Sequence, residues 1–196
     1  MDPLAGTPWS SPSTVEGFSR SEPNAVLMNY AARVIETLAR PLGVDIGCGA
    51  GRNAVPLARA GWNVVGTDMS RPMLEAASAR LRDDTLRGRA VVLLAPMDAL
   101  PVADSSADLI VAHGIWNLAA SSSEMRRGVR EAARVARPGA ALFVFTFSRN
   151  TLPPGAEPVA GETFVFTQFS GRPHFLTEGQ RLDVESRNGH IASRKT

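Results

Sequence analysis

Cysteine is almost missing from this 196-residue chain: Cys48 is the only one. That excludes an internal disulfide and a four-cysteine zinc site, no metal site is read, and a reducing cytoplasm is the expected setting. Lysine is as scarce, with Lys195 alone, so the positive side of a net charge of +2 is almost wholly arginine. No apolar run is long enough to span a bilayer, and no basic start leads into an apolar stretch. Neither a membrane span nor a secretory signal is therefore expected. What is present is an ordinary globular balance, 44% hydrophobic and 20% charged. At this length it supports one domain with its own core. Arg126, Arg130, Arg134 and Arg137 recur at roughly helical spacing. Glu124 and Glu131 interleave with them and no aromatic residue accompanies them, which favours a solvated helix face over a nucleic-acid surface.

Residues 1–22 are rich in Pro, Ser, Gly and Thr without periodicity, and read as a flexible arm ahead of a domain over 23–196. Helical spacing of Val26, Leu27, Tyr30, Val34, Ile35 and Leu38 predicts a helix from Asn24 to Arg40, stopped by Pro41. Strands are then expected at 42–46, 62–67, 90–94, 107–112 and 140–147. The helices between them are expected at 53–60, from Ser70 to Leu81, and from Ser121 to Ala136. Ser70 with Pro72 forms a start signal, as does the Ser121/Glu124 capping box. The alternation implies an α/β, doubly wound, mostly parallel sheet with helices on both faces. Ligands in such folds bind beyond the carboxyl ends of the strands.

Beyond the first strand comes Asp45-Ile46-Gly47-Cys48-Gly49-Ala50-Gly51. Glycines there permit a tight turn and close approach of a ligand to the backbone, and a helix start favours an anionic group. A dinucleotide fingerprint needs a third glycine where Arg52 stands, and no Gly-Lys-Ser/Thr follows for a phosphate loop. The remaining Asp-x-Gly-x-Gly-x-Gly, with Gly51-Arg52-Asn53-Ala54 and Val65-Gly66-Thr67-Asp68-Met69-Ser70, resembles class I S-adenosylmethionine-dependent methyltransferases. The resemblance covers about residues 24–147 and is most specific in the first two motifs.

That resemblance implies a Rossmann-like methyltransferase fold with S-adenosylmethionine as cofactor. Gly47, Cys48, Gly49 and Gly51 would line the cofactor. Asp45 would lie near its methionine end, Asp68 would accept the ribose hydroxyls and Met69 would pack on the adenine. Met97, Asp98 and Ala99 would surround the adenine, with Asp98 accepting from its amino group. His113 is expected beside the transferring methyl, as a base or as a backbone contact to the cofactor. Trp116 is a candidate wall of the acceptor pocket, and Tyr30 with the preceding arm a candidate lid. Methyl transfer needs mainly alignment of an already activated donor, so the lack of a catalytic triad is no objection.

A small-molecule acceptor is expected, with no nucleic acid and no membrane as partner. Methylation of RNA or protein, or cofactor binding without catalysis, are the alternatives. Past Phe147 the pattern thins. A loop over 151–158, a strand-like 162–169, acceptor contacts from Arg172 and His174, and a hairpin of 182–186 with 190–194 around Asn188-Gly189 are expected. The result would be a fold with an abbreviated end.

Overall fold

The computed structural model describes residues 1–82, 86, 88–147, 152–163, 165–166, 180–181 and 194–195. Five strands, β1 (Leu42–Ile46), β2 (Asn63–Asp68), β3 (Ala90–Leu94), β4 (Ala107–His113) and β5 (Ala136–Phe145), form one sheet in the order β3-β2-β1-β4-β5. All four pairings are parallel. The order reverses at β1, so the ends of β1 and β4 diverge into the crevice expected of a doubly wound sheet.

Alternate residues of the central strands feed two cores. Leu109 and Val111 of β4 join one core; Ile110 and Ala112 join the other. The first core is covered by α2 (Ala25–Ile35), α3 (Ala54–Arg59) and α4 (Arg71–Arg80), through Leu27, Ala31, Leu57 and Leu74 among others. The second is covered by α5 (Ser122–Val135), through Val129, Ala132 and Val135. Burying these apolar chains on both faces is the main stabilising term, about 1.5–3 kcal/mol for each large side chain.

The start signals act as expected. Ser70 Oγ accepts from Met73 N–H and Ser121 Oγ from Glu124 N–H. The Glu124 carboxylate, however, takes the N–H of Ala120 rather than that of Ser121, so the capping box closes one residue upstream. The second helix stops at Ile35, short of Arg40, and Val26 is 69% exposed rather than core-facing. Strand β5 starts at Ala136, but its register slips between Ala107↔Ala136 and Leu109↔Ala141. Pro138 and Gly139 fall in that slip, so the expected turn survives as an irregularity inside the strand.

The largest departure is at the N-terminus. The expected arm contains a 3-10 turn (Pro8–Ser10) and α1 (Pro12–Arg20), capped by Ser11 Oγ on Thr14 N–H. It is tied to the start of α4 by four hydrogen bonds. Ser10 Oγ meets Ser70 Oγ, Ser70 Oγ donates to Trp9 O, and Arg71 gives its backbone N–H to Asp2 and its Nε to Met1 O. Trp9 and Phe18 pack edge to face at 6.1 Å. These contacts are tertiary, which is why local periodicity did not show them.

Past Phe147, residues 152–158 form the expected loop. Val165 and Phe166 are buried, and Val159 N–H donates to Val165 O. β6 (Gln180–Arg181) and β7 (Arg194–Lys195) pair antiparallel in a separate ribbon. The rest of the expected strand at 162–169, the expected hairpin apart from Arg194, and Arg172 and His174 lie outside the described residues. Among the described residues, no helix is long and apolar enough to cross a membrane.

Candidate functional site

The end of β1 turns on three glycines with φ of 70° (Gly47), 53° (Gly49) and 77° (Gly51), values that L side chains rarely adopt. At Gly47 space adds to the conformational argument, because a Cβ would lie 2.7–2.9 Å from three atoms of the Ile115 side chain. The loop is closed by its own backbone. Cys48 N–H donates to Thr67 O at 2.8 Å and Gly51 N–H to Cys48 O at 3.0 Å.

Two acids sit around this loop in different states. Asp68, at the end of β2, accepts from Gly49 N–H with one oxygen at 2.9 Å and from Ser70 N–H with the other at 2.8 Å. Burial holds its carboxyl above the ordinary range, partly offset by those N–H groups. Asp45 lies in the middle of the sheet, paired to Gly66 on one side and Val111 on the other, and is 1% exposed. Its Oδ2 has no hydrogen-bond partner. Burial, then the charge of Asp68, push its pKa up to about 7 against the pull of the Ala54 N–H. A buried acceptor left open in this way is the feature a cationic ligand group would satisfy.

A pocket of about 580 Å³ opens over these strand ends, within the usual range for small-molecule sites. Gly47, Gly49, Asp68, Met69, Met73 and Met97 line one side. The β4 end supplies His113, Gly114, Ile115 and Asn117; β5 and the residues after it supply Phe145 and Phe147. Leu4, Trp9 and Phe18 of the N-terminal segment close the wall, and Arg52 and Glu124 add charge.

Of the residues expected at the cofactor, Gly47, Gly49, Asp68, Met69, Met97 and His113 converge on this pocket; the others are placed elsewhere. Cys48 is buried behind the loop with its backbone N–H and C=O both engaged, and burial raises its thiol far above the ordinary range. Gly51 serves packing, since a Cβ there would meet Val55 at 3.0 Å and Ala77 at 3.3 Å. Asp98 is turned to Arg127 Nε at 2.9 Å, and Ala99 is exposed. Trp116, expected as an acceptor wall, is buried in the second core instead. Tyr30 packs on the first core, so the lid role narrows to Leu4, Trp9 and Phe18.

His113 is constrained more tightly than a lone histidine in a loop. Asn24 Oδ1 accepts from Leu27 N–H, so its Nδ2 faces His113 Nε2, at 3.2 Å. The ring nitrogen must then accept, which places the proton on Nδ1. Burial, and then the charge of Arg52, lower the pKa of His113 and keep the ring neutral. Phe145 stacks on it at 4.5 Å and 8°. The expected base therefore has its Nε2 occupied by Asn24.

Sequence reading missed Arg52, Met73, Ile115, Asn117, Phe145 and Phe147, and named the N-terminal arm as a lid without singling out Trp9 or Phe18. The Phe145/Phe147 pair, alternating at the carboxyl end of a strand, was the one readable signal.

Residues 44–144, just over half of the chain, match the family model described as a methyltransferase domain, and the chain belongs to that family. Its cofactor is S-adenosylmethionine. Methyltransferase GfsG of Streptomyces halstedii is 33% identical over 139 residues, 69% of this chain and 48% of that protein. Demethylmenaquinone methyltransferase of Renibacterium salmoninarum is 34% identical over 113 residues, 57% of this chain and 43% of that protein. The chain thus spans about half the length of the curated relatives it matches. A S-adenosylmethionine-dependent methyltransferase from Methanosarcina mazei shares the fold, with a TM-score of 0.65 at 24% identity over 81% of this chain and 80% of that one.

Proposed function

We propose that this protein transfers a methyl group from S-adenosylmethionine to a small-molecule acceptor held between His113, Phe145 and the N-terminal segment. The observation that carries the reading is Asp68 on the pocket wall beside the glycine loop, with the open buried oxygen of Asp45 near enough behind it for the two charges to interact.

These residues fit the cofactor's parts. A carboxylate has about four lone-pair sites. Asp68 spends two on Gly49 and Ser70, which leaves two for a pair of ribose hydroxyls. Met69, Met73 and Met97 offer polarizable apolar contact for a base. Asp45 supplies negative charge for an ammonium, and Arg52 is the lining cation suited to a carboxylate. When bound, the cofactor supplies a methyl group on a cationic sulfur, already activated for displacement. What the chain adds is alignment and exclusion of water, and alignment alone is worth on the order of 7–11 kcal/mol.

An acceptor that is small, rather than RNA, protein or a membrane surface, is favoured by the fate of the arginine stripe. Arg134 is bound by Glu131 and Asp104, and Arg137 by Asp108, so half of it is spent internally. One relative is named for demethylmenaquinone, itself a small molecule. The buried free thiol of Cys48 suits a reducing cytoplasm.

Calorimetry with S-adenosylmethionine and its demethylated product tests the cofactor half, and release of that product with a panel of acceptors tests the transfer. Asp68→Ala is expected to weaken the cofactor at least ~100-fold, the loss of two charge-assisted hydrogen bonds worth roughly 1.5–3 kcal/mol each. Unchanged binding in that variant would sink the assignment. Tight binding without turnover on any acceptor would leave a cofactor-binding protein.

A further inference from the structure

We propose that the acceptor is an uncharged planar aromatic molecule with one hydroxyl or amino donor, stacked on the phenylalanine wall and donating to Asn117 Oδ1. The inference rests on the methyl-transfer reading and adds the class of molecule that the second half of the pocket takes.

Two independent features meet there. The first is an unsatisfied acceptor. Asn117 sits in a 3-10 turn (Trp116–Leu118) just beyond β4; it is 2% exposed, and it is one of the residues lining the pocket. Its Oδ1 has no hydrogen-bond partner. A buried amide oxygen is normally paired, so an open one on a pocket wall marks where a ligand's N–H or O–H belongs.

The second is a run of aromatic rings. His113 lies parallel to Phe145 at 4.5 Å and to Phe143 at 6.5 Å, and Phe147 meets Phe145 edge-on at 6.1 Å. Phe145 and Phe147 are 41% and 36% exposed, among the few exposed large apolar side chains of the described residues. Rings in this order favour a further flat ring in offset or edge contact. Trp9 and Phe18 line the same pocket from the N-terminal segment.

Charge argues against ionic acceptors. Arg52 is the only cation among the described lining residues, and its Nε already donates to Glu22 O. Asp68 and Glu124 would repel an anion, and burial keeps His113 neutral.

The test uses the full chain saturated with S-adenosylmethionine and four probes of one size: 2-naphthol, 2-naphthylamine, decahydro-2-naphthol and 2-naphthoate, with naphthalene as the donor-free control. Calorimetry should show 2-naphthol or 2-naphthylamine binding at least ~10-fold tighter than the saturated alcohol, the carboxylate and naphthalene. Asn117→Leu should erase the advantage of the donor-bearing probe over naphthalene and leave cofactor affinity unchanged. Phe145→Ala should weaken naphthol and naphthalene alike, with thermal melting confirming that both variants are folded. Equal binding of the saturated alcohol or the carboxylate would overturn the proposal. So would an Asn117→Leu variant that loses cofactor affinity and keeps naphthol affinity, because the open oxygen would then belong to the cofactor. Which of naphthol and naphthylamine binds tighter identifies the donor as O–H or N–H. Failure of the wild type to bind S-adenosylmethionine at all would instead remove the methyl-transfer reading beneath it.

Discussion

The two sides of the pocket are built by opposite means. On the β1–β2 side nearly every polar group is already engaged by backbone: both Asp68 oxygens, the Ser70 hydroxyl and the amide of Cys48. The exceptions are the open oxygen of Asp45 and the buried hydroxyl of Thr67. On the β4–β5 side the surface is partly exposed apolar rings, with one open amide oxygen. A site locked by its own hydrogen bonds before a ligand arrives suits one fixed molecule. A wall held by ring packing gives area and orientation and discriminates by shape, so one fold can keep its donor while its acceptor is set by a few side chains.

The sharpest way to break this division is at Gly47. Gly47→Ala puts a Cβ against Ile115 and forces a φ of +70° on an L residue. Because Ile115 belongs to the β4 side, the substitution pushes the two halves apart. Cofactor affinity is expected to fall at least ~100-fold by calorimetry, with a lower melting temperature. Retained affinity would mean that the loop does not need Ile115 where it lies.

Asp45 sharpens the contrast through pH. Its pKa is about 7 in the folded chain against an ordinary 3.8. The unfolded chain therefore gives up this proton from about pH 4, while the native chain keeps it until about pH 7. Across that window the native state holds more protons, so stability falls as pH rises, and the full cost is present above pH 7. Asp45→Asn is expected to melt higher than wild type at pH 8 and equally at pH 4, each kcal/mol recovered being worth about 2–4 °C. The same variant should bind S-adenosylmethionine ~10- to 100-fold more weakly. Wild-type binding below pH 7 should release a proton, seen as a buffer-dependent heat. A variant stabilised without loss of affinity would separate Asp45 from the cofactor.

The two sides also differ in how far sequence revealed them. The loop, Asp68 and the Ser70 cap are local patterns, with spacing and residue type fixed within a few positions, and the strands carry continuous apolar runs because both faces are covered. The acceptor side depends on what meets across the fold. Trp116 and Asn117 are neighbours in a 3-10 turn, where successive side chains point about 120° apart. Periodicity could not say which of them faces the pocket; the structure buries Trp116 and turns Asn117 inward. The Ser11-Pro12 helix start was hidden in a Pro/Ser-rich stretch, and its role rests on contacts to Ser70 and Arg71 some sixty residues away. Asp98 is the converse case, since its motif was legible but its pairing with Arg127 was not.

The N-terminal segment offers a smaller test, since it lines the pocket and also lies against the donor loop, with Phe18 3.6 Å from where a Gly49 Cβ would be. Replacing Trp9 and Phe18 together by Ala removes two lining rings and their mutual packing. Acceptor KM is expected to rise about 10-fold, with cofactor affinity changed less than 3-fold. A loss of cofactor affinity as large as the rise in KM would show that the segment covers the donor instead.

The smallest effect is expected at Asp98, where sequence and structure point different ways. Its neighbour Met97 lines the pocket, while its own carboxylate faces Arg127. To reach an adenine amino group it must leave that guanidinium, and a partly exposed pair of this kind is worth about 0–1 kcal/mol. The net gain from reaching the base is then small, and Asp98→Ala should weaken S-adenosylmethionine by less than ~10-fold. Arg127→Ala removes the competing partner and should leave affinity equal or slightly tighter. A 100-fold loss in Asp98→Ala would mean that the carboxylate turns into the pocket when the cofactor binds, and that the polar half of the site is less fully prebuilt than its backbone hydrogen bonds imply.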